Sequence, residues 1–326
     1  MDGFHLNASI GILGTQTISH KKTGDSKKLE ITTTGSMNNY HIPAVIVFCE
    51  DKLAQEVITM SMPITAPISY NSFKFIINGS WRNIIISMAG SLLYSDELKK
   101  TGTTKFLSTV GIIDGDITDA EISDAISSCY KGSYVPEQLE KIKKSIKKNL
   151  VSFQLPENII GKKNTTGKPE LNIKNMLEEI NEESIDAVLG GEIKKLNSYL
   201  DKAVKDTEKQ IIESEIYFLE EEIKDVLKII EISKSLKSKK FKVKRNGRYN
   251  YHFYLNRLEE HLKGQYFGSY GPSLPPTLLL IYILINKFNE KRWYEYVNPV
   301  IDFLTQIAEE QRERYSHNTY NNQVID

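Results

Sequence analysis

The chain has 326 residues, 40% of them hydrophobic and 26% charged, which describes an ordinary globular protein with room for two domains. Its 42 basic residues are matched by 42 acidic ones, and a formal net charge of zero argues against strong independent binding to nucleic acid. Two cysteines exclude a disulfide framework or a cysteine metal cluster, and no apolar run reaches the length of a membrane span.

In chain order, residues 1–41 are polar, with one strand-like piece, KKLEITTTG, and are expected to form an arm or an edge hairpin. The opening MDGFHLNASIGILG has neither a basic n-region nor a continuous apolar h-region, so no signal peptide and a cytoplasmic setting are expected. Pro43 then opens a strand, a position that tolerates proline. Ala44 to Cys49 (AVIVFC) is continuously apolar and delivers Glu50, followed by Asp51 and a helical pattern, KLAQEVITM. A second strand, FKFIINGS, ends in a glycine turn and leads into the apolar-periodic WRNIIISMAGSLL. The third apolar run (Val110, Gly111, Ile112, Ile113) stops at Asp114-Gly115-Asp116.

Two carboxylates one residue apart at a strand end point to the same side. Gly115 lets the backbone turn close by, and like charges held that near each other repel unless a cation lies between them. A hard divalent ion, Mg²⁺ or Mn²⁺, suits such oxygen ligands. The alternation of strands and helices reads as a βαβαβ unit with a mainly parallel sheet. Ligands bind outside the carboxyl ends of such strands, so Glu50, Asp114 and Asp116 are expected to converge. Thr118 and Glu121 form a capping box that starts the next helix. A basic helix, EQLEKIKKSIKKN, then precedes a short strand LVSFQ and the segment LPENII, and residues 161–170 read as a flexible turn or boundary.

Residues 171–316 read as predominantly helical. NIKNMLEEINEESIDAVL is one amphipathic stretch. From Glu192 to Lys237 an apolar stripe runs from Ile193 to Ile230 with spacings of three or four, broken by one longer skip after Val204. That pattern fits core packing, an antiparallel helical hairpin or a protruding partner-binding coil. Lys239, Lys240, Lys242, Lys244, Arg245 and Arg248 interleave with Phe241, Tyr249, Tyr251, Phe253 and Tyr254. Such a mixture suits stacking on bases and pairing with phosphates. The plainer reading of it is a basic loop before an amphipathic helix. The clusters KIKKSIKKN and GKKNTTGK read as solvated faces. SYGPSLPP breaks the chain, and two helices, Pro276 to Phe288 and Tyr294 to Arg314, close it.

A strand ending in Glu, a strand ending in a glycine turn and a strand ending in Asp-x-Asp together resemble the TOPRIM domain of topoisomerases, primases and OLD-family nucleases. VIVFCEDKLAQEVI is similar to the glutamate motif, INGSWRNI to the glycine motif and GIIDGDITDAE to the Asp-x-Asp motif. SFQLPENII resembles the Leu-Pro-Glu segment of OLD-type domains. The match covers residues 42–162. The resemblance implies an α/β TOPRIM-like fold with a large all-α C-terminal elaboration, organised as 1–41, 42–170 and 171–326. It implies a metal-dependent nuclease in which Glu50, Asp114, Asp116 and Glu157 hold two Mg²⁺ or Mn²⁺ ions, Glu50 doubling as general base. A late lysine, Lys242 or Lys244, would join the site. One departure stands out: Ala54 occupies a position that is often acidic, leaving Asp51 or Glu56 to substitute.

No GxxxxGK[ST] phosphate loop occurs, so ATP hydrolysis by that route is excluded. By resemblance, a separate ABC- or OLD-type ATPase subunit would supply it in an antiphage system. The substrate would be DNA or a tRNA-like RNA; an oligomer is left open, and no membrane association is expected. Two alternatives stand. IIDGDIT also fits the Asp-x-Asp-x-Thr motif of haloacid-dehalogenase-like phosphatases, whose first Asp is a nucleophile. A catalytically idle TOPRIM scaffold is the other.

Overall fold

Val45–Cys49 is apolar at every position, as a strand covered on both faces must be. The computed structural model describes residues 5–9, 15–23, 26–34, 45–62, 68, 70–100, 108–130, 132, 134–155, 168–236, 251–271 and 274–321. The N-terminal segment holds three strands, β1 (His5–Ser9), β2 (Thr15–Thr23) and β3 (Ser26–Thr34), paired antiparallel in that order, one more than a hairpin requires. A second sheet has four strands, β4 (Val45–Cys49), β5 (Phe73–Ile77), β6 (Ser108–Ile113) and β7 (Leu150–Ser152). Its order is β5-β4-β6-β7 and every pairing is parallel. The helices of this part are α1 (Lys52–Ser61), α2 (Trp81–Lys100), α3 (Asp119–Cys129) and α4 (Pro136–Lys148).

The register sorts the two faces of the sheet. Val45 pairs with Ser108 and Phe48 with Gly111, so Phe48, Gly111 and Ile113 share one face. There they meet a core built from α2, α3 and α4, including Ile84, Met88, Ile126 and Ile146. Gly111 is required by that packing. A Cβ on it would lie 2.6 Å from Ile84 Cγ2 and 2.7 Å from Met88 Sδ. On the opposite face Ser108 donates to Gln311 Oε1 at 2.6 Å, both side chains being buried. A four-stranded parallel sheet flanked by helices is the architecture that the alternating pattern announces.

Helices continue as α5 (Pro169–Glu178), α6 (Glu182–Ile185), α7 (Gly191–Leu200), α8 (Asp206–Ser235), α9 (Tyr254–Leu262), α10 (Thr277–Phe288) and α11 (Glu290–Asn321). The expected single stretch from Asn172 to Leu189 is broken. The Asn181 side chain accepts from the Ser184 backbone N–H and the Asn181 N–H donates to Ser184 Oγ in return, starting a new helix where apolar spacing alone shows no stop. The stretch from Glu192 to Lys237 is broken too, between α7 and α8, whereas the skip after Val204 falls within α8. α11 runs longer than Tyr294 to Arg314 at both ends and carries Pro299 within it.

The chain divides into two compact units. The first comprises Met1–Ile113, Ile117–Ser152 and Pro299–Asp326, the second Asp114–Asp116 and Phe153–Asn298. The sequence had suggested a boundary between 170 and 171. Phe153, by contrast, stacks on Tyr296 with ring centroids 5.3 Å apart, which draws the segment after β7 into the second unit. That unit is held further by a buried polar network. Ser233 Oγ lies 2.8 Å from Glu178 Oε1 and 2.9 Å from the Tyr254 hydroxyl.

Candidate functional site

Glu50 and the Asp-x-Asp pair owe their positions to topology. From β4 the chain passes to β5 on one side; from β6 it passes to β7 on the other. A sheet that reverses its direction of winding between adjacent strands leaves a crevice outside their carboxyl ends. Glu50 directly follows β4, and Asp114 directly follows β6. Glu50 belongs to the first unit, Asp114 and Asp116 to the second.

Within the first unit the glutamate and glycine motifs are joined through the backbone. The Asn78 N–H donates to the Cys49 carbonyl at 2.8 Å and the Gly79 N–H to the Glu50 carbonyl at 2.9 Å. Gly79 has φ +79°, a conformation that side chains disfavour, so glycine is what allows this turn. Asn78 and Asn83 close the turn, with Asn83 Nδ2 donating to the Asn78 carbonyl at 2.8 Å. Glu50 is half-buried, and its Oε2 is sealed from solvent. Beneath it, burial and the nearby Asp51 carboxylate push the Cys49 thiol up to about 12, so it stays protonated in neutral water.

The two acids that might have replaced Ala54 have other work. Asp51 caps α1 by accepting from the Ala54 N–H at 3.1 Å, and Glu56 pairs with Lys52 at 2.7 Å on an exposed face. Ala54 itself is buried.

In the second unit Asp116 faces a cation that sequence reasoning missed. Lys168 Nζ lies 3.6 Å from Asp116 Oδ2, with the two side chains 25% and 21% exposed. The residue stands in the GKKNTTGK cluster just before Pro169, where its charge read as part of a solvated loop. Thr118 and Glu121 form the expected capping box, so α3 begins three residues beyond Asp116. Glu157, Lys239, Lys240, Lys242, Lys244, Arg245 and Arg248 lie outside the described residues. Of the aromatic residues near them, Tyr254 is fully buried and bonded to Ser233. It is a core residue rather than a stacking platform, a correction to the nucleic-acid reading of that segment.

The donor set of half-buried carboxylates at strand ends has the chemistry a hard divalent ion prefers. Among the described residues no three His, Cys, Asp or Glu side chains stand together as a ready-made metal group. A groove of about 630 Å³ between α2 and α3 is lined by Trp81, Ile86 and Leu93 together with the carboxylates Glu121 and Asp124, of which Glu121 is engaged in the α3 cap. No helix among the described residues is long and apolar enough to cross a membrane. Comparison with protein-family models, curated proteins and solved structures finds no match to this chain.

Proposed function

We propose that the chain is a metal-dependent nuclease that hydrolyses phosphodiester bonds of DNA or RNA. The observation that carries this reading is the reversal of winding between β4 and β6, with Glu50 and Asp114-Gly115-Asp116 following those two strands. In this reading Glu50, Asp114, Asp116 and Glu157 are the metal ligands. Bound Mg²⁺ or Mn²⁺ supplies an activated water and stabilises the leaving oxygen. Glu50, half-buried just after β4, accepts the proton of the attacking water. Lys168, beside Asp116, offsets carboxylate charge and joins Lys242 and Lys244 as a candidate for balancing charge on the phosphoryl group. An ATPase subunit, absent from this chain, controls access to substrate, and antiphage defence is the setting in which such a pairing works.

The test is cleavage of a plasmid and of a tRNA pool by purified chain with Mn²⁺, with and without an ABC- or OLD-type ATPase encoded beside it. Products ending in phosphate and hydroxyl, lost on chelation and restored by Mg²⁺ or Mn²⁺, are expected. Hydrolysis of a phosphomonoester instead, abolished by Asp114→Asn alone, would hand the site to the phosphatase reading. A thermal shift with Mn²⁺ reads the metal without activity. Ligand that binds only the folded chain raises stability by about 2.7 kcal/mol at 100 times its Kd.

A further inference from the structure

The last two turns of α4 carry Lys143, Lys144, Lys147 and Lys148 around a depression of about 420 Å³ in which, among the described residues, Glu140 is the one acid. Two of the four are neutralised nearby: Lys143 pairs with Glu140 at 2.7 Å and Lys147 with Asp119 at 2.8 Å. Lys144 and Lys148 are exposed and make no ion pair among the described residues. Stabilising the helix does not account for this arrangement. A cation in the last turn favours the helix dipole, which covers Lys147 and Lys148. Lys143 with Lys147, and Lys144 with Lys148, are like charges at i and i+4, which each cost roughly 0.2–0.5 kcal/mol. Where this helix needs only local support it alternates sign, as Glu137 and Lys141 do at 3.6 Å.

The position of the face is as informative as its charge. Through Asn149, whose carbonyl accepts from the Gly111 N–H at 2.9 Å, the end of α4 is tied to the C-terminal half of β6. Lys147 reaches Asp119, the first residue of α3. The cations thus stand where α4 enters β7 and beside the start of α3, within the first unit.

We propose that Lys144 and Lys148, with Lys143 and Lys147 beside them, are a phosphate track that holds the nucleic-acid backbone. The choice of nucleic acid as occupant rests on the nuclease reading. Lys144 and Lys148 lie one turn apart, about 6 Å along the axis, a spacing that lets each take a successive phosphate of one strand. Contacts of this kind fix the position of the strand and carry no sequence information.

The full chain is titrated by fluorescence anisotropy against labelled duplex DNA of about 30 base pairs and single-stranded RNA of similar length, from ~20 to ~200 mM salt. Replacing both residues (K144A/K148A) keeps α4 intact, since alanine is the strongest helix former. The slope of log K against log salt is expected to fall by about 2, and affinity by on the order of 100-fold near ~50 mM salt. An unchanged slope for both probes overturns the track, as does the absence of measurable binding by the wild-type chain at ~20 mM salt. Tighter binding to anionic vesicles than to both nucleic acids, lost in K144A/K148A, overturns it too. Cleavage is followed in the same samples. A lost slope without any cleavage keeps the track and removes the nuclease; normal cleavage with an unchanged slope does the reverse.

Discussion

Glu50→Gln keeps the size of a half-buried side chain and removes its charge. Cleavage is expected to fall by about 10²–10³-fold, the scale on which single electrostatic contributors act. The melting temperature should hold or rise, because one fewer negative charge stands near the strand ends. Loss of activity together with unfolding would reduce Glu50 to a structural residue. Cys49 offers a second check. Its thiol is raised from 9.0 to about 12, so between those values the unfolded chain ionises where the folded one does not. Stability from this group is complete below pH 9 and is lost as pH climbs toward 12. Below that window a thiol reagent should modify exposed Cys129 and spare Cys49; equal labelling of both would contradict the burial. At this scale the strand-end carboxylates were legible because apolar runs announce where a strand stops. Lys168 was not, because its partner lies far back in the chain and only tertiary folding brings the two charges together.

Among the elements, α3 is the one whose start matters, because it begins right after the Asp-x-Asp turn. Thr118→Ala removes the cap on the Glu121 N–H and the hydroxyl's bond to Glu121 Oε2, while the backbone N–H at 118 keeps its bond to that carboxylate, and is expected to cost about 1 kcal/mol in urea unfolding. Gly111→Ala should cost more, about 1–3 kcal/mol, because its methyl group meets Ile84, Met88 and Leu150 with nowhere to move. A neutral result would mean that α2 shifts off β6. The parallel strands were readable from continuous apolar runs; the α7–α8 turn was not, because the stripe steps evenly from Leu200 to Val204 across it. The start of α6 was hidden because a reciprocal Asn181–Ser184 pair is made of two polar side chains and leaves apolar periodicity untouched. The stripe itself proves only half sunk: Ile212 and Ile230 are buried and Val204 is exposed, while Ile193, Leu196, Leu200, Ile216, Leu219, Ile223 and Leu227 are half-buried.

For the molecule as a whole, zero net charge sets the expectation that the chain alone binds nucleic acid weakly at physiological salt and gains affinity with an ATPase subunit. Gel shifts with and without that subunit test it; tight binding and fast cleavage by the chain alone would sink the idea. The division into units was less legible than the fold, because a boundary read from composition cannot show that residues from Pro299 onward return to the first unit. A fragment covering residues 42–170 should therefore lack a cover for one face of its sheet and bind a hydrophobic dye, whereas the full chain should not. The Ser108–Gln311 bond spans 203 residues of chain. At about 5–20 residues per second of synthesis, Ser108 waits roughly 10–40 s for its partner to be made. The unit begun first on the ribosome is thus the last to be finished, and a polypeptide released early carries its acidic strand ends on an unsealed sheet. Under the proposed function, a chain cut short before Gln311 is expected to lack cleavage activity, which a truncation ending before α11 would check.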